Sequence, residues 1–236
     1  MRAVLCTAYE DHDALEVGEA PSRAPGPGEV RIAIHAAGLN FADTLMVEGN
    51  YQVKPELPFV PGLEGAGEVI EVGEGVERVK PGDRVAATVE HGAFAEEAVA
   101  REIDTYPIPD SMSFEIAAGF PVVYGTSHVG LRRRANLQAG ETLLVHGAAG
   151  GVGLTAVEIG KALGATVIAS AGSAEKLEVA RAHGADHLVN HRNEDLREAI
   201  KGLTGGRGAD VIYDPVGGDV FDASLRCIAW EGRLLV

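Results

Sequence analysis

Cysteine is nearly absent from this 236-residue chain: only Cys6 and Cys227 occur, far apart and at no metal-binding or redox spacing. That excludes a disulfide scaffold, a four-cysteine zinc loop and a Cys-x-x-Cys redox pair; both thiols lie in apolar surroundings that suit buried positions. Basic residues are also scarce, 20 against 35 acidic, for a net charge of −15. The one basic run, Arg132-Arg-Arg134, reads as a solvated helix end, so neither nucleic acid nor an anionic membrane surface is an expected partner. No apolar run is long enough to span a bilayer, and no secretory leader precedes the first strand-like stretch, 2–7. The expectation is a soluble, reduced, cytoplasmic protein.

Glycine, by contrast, is plentiful at 31 residues, and 46% of the chain is hydrophobic, enough for a sizeable core and one or two domains. Two grammars follow one another. Up to about residue 110, short apolar runs such as 30–36, 65–72 and 84–87 alternate with turn signals: Pro25-Gly-Pro-Gly28, Pro61-Gly62 and Pro81-Gly-Asp83. This pattern predicts a small barrel or sandwich. After Tyr106-Pro-Ile-Pro109 the pattern changes. Ser113 is placed to cap a helix with Glu115 in its first turn. From Glu141 onward, strands at 143–146, 166–170, 187–190, 210–213 and 233–236 alternate with helices at 152–163, 174–183, 195–204 and 220–229. Repeated βα units imply a parallel, doubly wound sheet. The domain boundaries read as 1–112 and 113–236. A complete dinucleotide fold has six strands in the order 3-2-1-4-5-6; the fifth ends at Val236, so the chain is expected to continue beyond it in its natural form, and alone to be aggregation-prone or inactive.

The strongest single feature is His146-Gly-Ala-Ala-Gly-Gly-Val-Gly153. It follows the apolar run Thr142-Leu-Leu-Val-His146 and opens a helix whose apolar face carries Val152, Ala156, Ile159 and Leu163. Strand, glycine turn and helix in that order form an anion cradle: the helix N-terminus points its N–H groups at a phosphate, and glycines let the backbone approach a pyrophosphate. Gly147, Gly150, Gly151, Val152 and Gly153 are therefore read as cofactor-binding. The glycine string at 202–208 lacks this context and reads as a surface turn.

The second strand discriminates between cofactors. An NAD-type site places a carboxylate at its end to hold the ribose 2′-hydroxyl. Here that place reads Ser170-Ala-Gly-Ser173, without an acid. A 2′-phosphate needs donors and positive charge instead. Gly172, Ser173 and Lys176 stand at this turn, and His191 and Arg192 follow the third strand. Each alone is an ordinary surface residue; together with the missing acid they favour NADPH.

At this point the chain resembles the zinc-independent quinone oxidoreductases of the medium-chain dehydrogenase/reductase superfamily. The resemblance rests on the loop at 140–153 and on Ala37-Gly-Leu-Asn-Phe-Ala-Asp43, Pro61-Gly-Leu-Glu-Gly-Ala-Gly67, Pro81-Gly-Asp-Arg-Val85, Tyr124-Gly-Thr126 and Asp214-Pro-Val-Gly-Gly218. It departs from that signature at Glu158, where the family usually has Gln. The resemblance implies a GroES-like β-barrel domain followed by a Rossmann domain, an active site in the cleft between them, and a homodimer. Residues aligned with the zinc ligands of the related alcohol dehydrogenases are Asn40 and Leu63, neither of which supplies a zinc site. His35, His91 and His128 are scattered without ligand spacing. The resemblance further implies that Asn40 orients nicotinamide or substrate, that Tyr51 lines the acceptor site and donates to a carbonyl, and that Thr126 meets the nicotinamide end. For Tyr51 the competing reading is packing on Val53 and Leu57; for Asp43, a cap on a backbone turn fits better than a general acid.

Without a Lewis acid, alcohol oxidation is difficult, whereas hydride transfer to an electrophilic acceptor remains accessible. A quinone is the first expectation, an α,β-unsaturated carbonyl or enoyl thioester the alternative, and a non-catalytic NADPH-binding structural or RNA-binding protein the third.

Overall fold

A computed structural model of the chain describes residues 1–10 and 12–236. The chain divides into two units, Met1–Val122 and Val123–Val236.

In the first unit, β1 (Arg2–Cys6) and β2 (Leu15–Glu19) form an antiparallel ribbon. Next come β3 (Glu29–Gly38), α1 (Phe41–Val47), β4 (Glu64–Val72), β5 (Arg84–Thr88), β6 (Glu97–Arg101) and β7 (Thr105–Pro107). These five strands make an antiparallel sheet in the order β6-β3-β4-β5-β7, the half-barrel of a GroES-like domain. Single bridges at Ala3–Ala95 and Cys6–Phe59 tie the ribbon to the remainder of the unit. Alternation along β3 and β5 turns Val30, Ile32, Val85 and Ala87 inward with Val69, Val79 and Ala100. A fully buried side chain of this size contributes about 1.5–3 kcal/mol.

The passage out of the sheet is fixed by Arg84. Its guanidinium donates to the carbonyls of Pro109, Asp110 and Met112 at 3.1, 2.9 and 2.6 Å and lies 4.5 Å above the Phe114 ring. That seats α2 (Phe114–Ala118), whose N-cap Ser113 accepts the Ile116 N–H at 3.3 Å as the sequence predicts. Ala117 and Ala118 then pack on Ala66 and Ala86. Helix α3 (Pro121–His128) follows and widens into a π-type turn over Val129–Arg134.

The second unit runs β8 (Thr142–His146), α4 (Gly151–Ala162), β9 (Thr166–Ala171), α5 (Ala174–Ala182), β10 (His187–Asn190), α6 (Leu196–Leu203), β11 (Ala209–Tyr213), α7 (Asp219–Ser224) and β12 (Ile228–Leu235). The sheet is parallel throughout, in the order β10-β9-β8-β11-β12. This is the 3-2-1-4-5 part of the dinucleotide-binding order. Odd-numbered residues of β8 and β9 (Leu143, Val145, Val167, Ala169) pack with Ala156, Val157 and Ala180 of α4 and α5. Even-numbered ones (Leu144, Ile168) pack with Leu196 and Ile200 of α6 and with Cys227. Both faces are covered, as a parallel sheet requires.

The last helix differs from expectation. Val220, Ala223, Ser224 and Cys227 show helical spacing, yet α7 stops at Ser224. The Cys227 N–H bonds Ser224 O at 3.1 Å, and Ile228 pairs with Ala209. Residues 229–232 form an irregularity in β12, with Glu231 at φ 59°. Pairing with β11 there outweighs the local helical pattern.

Candidate functional site

The cradle begins where β8 ends. Gly147 adopts φ 57°, accessible to glycine at little cost, and the Gly150 N–H closes the turn on Gly147 O at 2.8 Å. Helix α4 starts at Gly151, with Gly150 as its N-cap. Its first-turn amides lack intrahelical acceptors by geometry and carry the positive end of the helix dipole. Gly153 packs so closely that a Cβ there would lie 2.2 Å from Gly147 O. The loop thus folds flat onto the first turn of α4, leaving bare backbone over the helix end. Val152, half-buried, packs against the core of this unit.

At the end of β9, Gly172 leaves room for Arg192: a Cβ there would meet the guanidinium Nε at 2.9 Å. Ser173 caps α5, accepting the Lys176 N–H at 3.3 Å. Lys176 and Arg192 are exposed, and His191 is half-buried with Nδ1 3.1 Å from Ser170 Oγ. The structure therefore gathers Gly172, Ser173, His191 and Arg192 around the end of β9, with Lys176 one helical turn away. Thr126 is exposed on α3.

Beneath the cradle sits a polar pair that sequence reasoning did not single out. His146 is fully buried, and its Nε2 lies 2.9 Å from Ser224 Oγ. Ser224 already donates its hydroxyl hydrogen to Val220 O at 2.8 Å, so His146 donates from Nε2 and its Nδ1 is bare. Burial holds His146 neutral, with a pKa lowered to about 4, despite the opposing pull of Asp214. Asp214 is buried too; its Oδ1 accepts the N–H groups of Val216 and Gly217, both at 3.0 Å. That fastens the Asp214-Pro-Val-Gly-Gly218 turn beside the cradle.

In the first unit, Asn40 caps α1 and is almost completely buried. Its backbone N–H donates to Asp43 Oδ2 at 2.8 Å, and its Nδ2 donates to Glu64 Oε1 at 2.8 Å. Glu64 Oε2 accepts the Val122 N–H at 2.8 Å. Burial pushes the carboxyl groups of Asp43 and Glu64 up; hydrogen bonds partly oppose this, from Asn40 in both cases and from Val122 for Glu64. The amides of Gly62 and Leu63 lie near enough to pull Asp43 down, although its Oδ1 makes no hydrogen bond of good geometry. Asp43 thus accepts the backbone N–H of the residue that starts α1. Tyr51 and Leu63 pack against the cluster of Cys6, Met46, Val47 and Phe59.

Glu64 is the site residue that the sequence reading passed over. A signal was present: a lone carboxylate inside Gly62-Leu-Glu-Gly-Ala-Gly67, where small neighbours leave space for a buried charge. Among the described residues, no group of three or more His, Cys, Asp or Glu is placed to hold a metal ion. Among the same residues, no helix is long and apolar enough to cross a membrane.

A GroES-like half-barrel followed by a glycine-cradle Rossmann sheet defines the medium-chain dehydrogenase/reductase class of oxidoreductases. Residues 26–110 match the family described as alcohol dehydrogenase GroES-like domain, and residues 151–236 the family described as zinc-binding dehydrogenase. Mouse (Mus musculus) quinone oxidoreductase-like protein 2 is 45% identical over 236 residues, covering 100% of this chain and 67% of the relative. The Escherichia coli quinone oxidoreductase, solved in complex with NADPH, superposes with a TM-score of 0.93 at 35% identity, covering 99% of this chain and 72% of that one. The CurK enoyl reductase superposes at 0.92 with 32% identity, covering 99% and 72%. The chain belongs to the quinone oxidoreductase family of this superfamily, and spans about two thirds of the length of its mouse and rat relatives.

Proposed function

We propose that this chain forms the cofactor-binding and substrate units of a zinc-independent NADPH-dependent quinone reductase. The observation that carries the reading is the pairing of a backbone-only cradle at 147–153 with a second-strand end that has no carboxylate but has Ser173, Lys176, His191 and Arg192. The cradle fits a pyrophosphate: a side chain on Gly153 would be driven into Gly147 O. The β9 end fits a 2′-phosphate, which repels a carboxylate and favours cations and hydroxyl donors. The likeness to an Escherichia coli quinone oxidoreductase solved with NADPH supports both halves of this assignment.

NADPH supplies a hydride to an electrophilic carbonyl compound. The protein's part is position and hydrogen bonding. Lys176 and Arg192 hold the 2′-phosphate, the first turn of α4 holds the pyrophosphate, and Thr126 meets the nicotinamide end. Asn40, its amide aligned by Glu64, orients the reacting groups, and Tyr51 offers a hydroxyl to the acceptor carbonyl as negative charge develops there. Asp43 keeps Asn40 at the start of α1. The reading is metal-independent because an amide at position 40 and a leucine at 63 stand where the alcohol dehydrogenases align their zinc ligands.

The test pairs binding with turnover. NADPH is expected to bind more tightly than NADH, and Lys176→Ala to erase much of the difference. Equal affinities in the parent protein refute the Lys176 assignment. With NADPH as donor, a 1,4-quinone is expected to turn over faster than an enone. No measurable quinone turnover, with rapid enone reduction, replaces the first reading by an enone or enoyl-thioester reductase, which the similarity to the CurK enoyl reductase favours as the second choice.

A further inference from the structure

The carboxyl ends of four neighbouring strands carry a row of polar side chains. Register pairs His146 with Ser170 across β8 and β9, and Ser170 with Val189, two residues before His191, across β9 and β10. Tyr213 opposite Val145 sets Asp214 beside His146. The row His191, Ser170, His146, Asp214 thus follows the strand order β10-β9-β8-β11. It continues the sheet face that buries Leu144, Ile168, Val189 and Ile212.

We propose that Ser170 is a positioning residue that makes His191 a proton-coupled ligand for a phosphomonoester at the end of β9. On the reading above, that group is the cofactor's 2′-phosphate. The argument starts from the hydroxyl. Ser170 is fully buried, and its Oγ lies 3.1 Å from His191 Nδ1, which anchors the imidazole through one nitrogen and leaves Nε2 for a ligand. A hydroxyl both donates and accepts. Neutral His191 receives the Ser170 O–H at Nδ1; protonated His191 donates Nδ1–H to Ser170 Oγ. One geometry therefore serves both charge states, and the ring gains a proton from solvent without moving.

The surroundings set the direction. Burial and the neighbouring Arg192 guanidinium hold His191 below the ordinary histidine value. A dianion at Nε2 opposes both effects and draws the proton on. Other titratable groups do not supply the missing negative charge. From β8, His146 stays neutral, and Asp214 acts on His146. From α5, the first turn offers Glu175 and Lys176, one of each sign. Arg192, lying over Gly172, binds phosphate at every pH; His191 adds the pH-dependent share.

The experiment is calorimetric titration of the protein with NADPH and with NADH, in buffers of different ionisation enthalpy, at pH above about 7, where a phosphomonoester is already dianionic. Uptake approaching one proton is expected with NADPH and none with NADH, so NADPH affinity falls by up to about tenfold per pH unit as pH rises. His191→Gln, at a half-exposed position, abolishes the uptake. Ser170→Ala reduces it while leaving NADH affinity unchanged, which a merely structural role does not do. Equal uptake in His191→Gln and parent overturns the proton assignment. Undiminished uptake in Ser170→Ala overturns the positioning role. A strong NADPH preference without proton uptake removes this inference alone; equal affinity for the two cofactors removes the cofactor reading as well.

Discussion

Single residues decide whether the cradle exists. Gly153 is the sharpest case, because the obstacle to a side chain is backbone: the Gly147 carbonyl, 2.2 Å from where Cβ would stand. A flexible side chain moves aside, whereas a carbonyl inside a closed turn moves only with the turn. Gly153→Ala should therefore cost about 1–3 kcal/mol of stability and weaken NADPH binding by about tenfold or more, as donors leave their places. Fluorescence titration and thermal melting check the two effects separately; a variant that binds NADPH normally shows that the loop tolerates the displacement. The glycines were legible in the sequence because absence of a side chain has one meaning in a strand–turn–helix context. Glu64 was not, because its burial depends on partners 24 and 58 residues away, Asn40 Nδ2 and Val122 N. The same holds for His146, whose partner Ser224 lies 78 residues on. Nothing local in the sequence joins such pairs.

Elements form where local and long-range preferences agree. Helix α6 illustrates agreement: Asp195 accepts the Glu198 N–H at 3.1 Å, while Leu196 and Ile200 face the sheet. Asp195→Ala should lower stability by about 1 kcal/mol, and Asp195→Asn by much less, since the amide oxygen retains the cap. A urea midpoint that falls with an unchanged slope is the expected signature; no change shows that the cap is dispensable. Agreement also explains why the βα order, the five strands of the second unit and the Ser113 cap were readable in advance. The 220–229 stretch is the counterexample. Its helical spacing is real, but Ile228 pairs with Ala209, and Gly208 passes so near that a Cβ there would meet Cys227 O at 2.5 Å. Sheet pairing claims residues whose pattern alone assigns them to a helix.

At the scale of the whole molecule, acid acts in two opposite senses. Glu29, hydrogen-bonded by Arg23, has its pKa lowered from 4.5 to about 2. Arg233 likewise lowers Glu141, through contacts at 2.9 and 2.7 Å. Such groups contribute stability fully above the unfolded carboxylate value, and that contribution is lost as pH falls through the folded one. Asp43 and Glu64 are raised by burial and take up protons more readily when folded. Their ionisation opposes folding, so acidification through their raised values adds stability. The two senses predict a shallow stability maximum at mildly acidic pH, then a fall that, for Glu29, runs from 4.5 toward 2. Urea midpoints across pH check this: Glu64→Gln should flatten the rise, and Glu29→Gln should reduce the fall. A monotonic loss of stability from neutral pH downward contradicts the assignment for Asp43 and Glu64.

The buried carboxylate of Glu64 has a counterpart directly across the sheet. Gly38 is its register partner, and a Cβ on Gly38 would lie 2.4 Å from Glu64 Oε1 and 2.7 Å from Ala118 O. The two positions are therefore inherited as one unit. A lineage that gains a side chain at 38 must both shorten the acid at 64 and shift the Ala118 carbonyl, so shortening the acid is necessary but does not by itself free 38 to vary. Substitution histories at these sites should be ordered rather than independent, a constraint on descent written jointly by a hydrogen-bonded carboxylate and a backbone carbonyl.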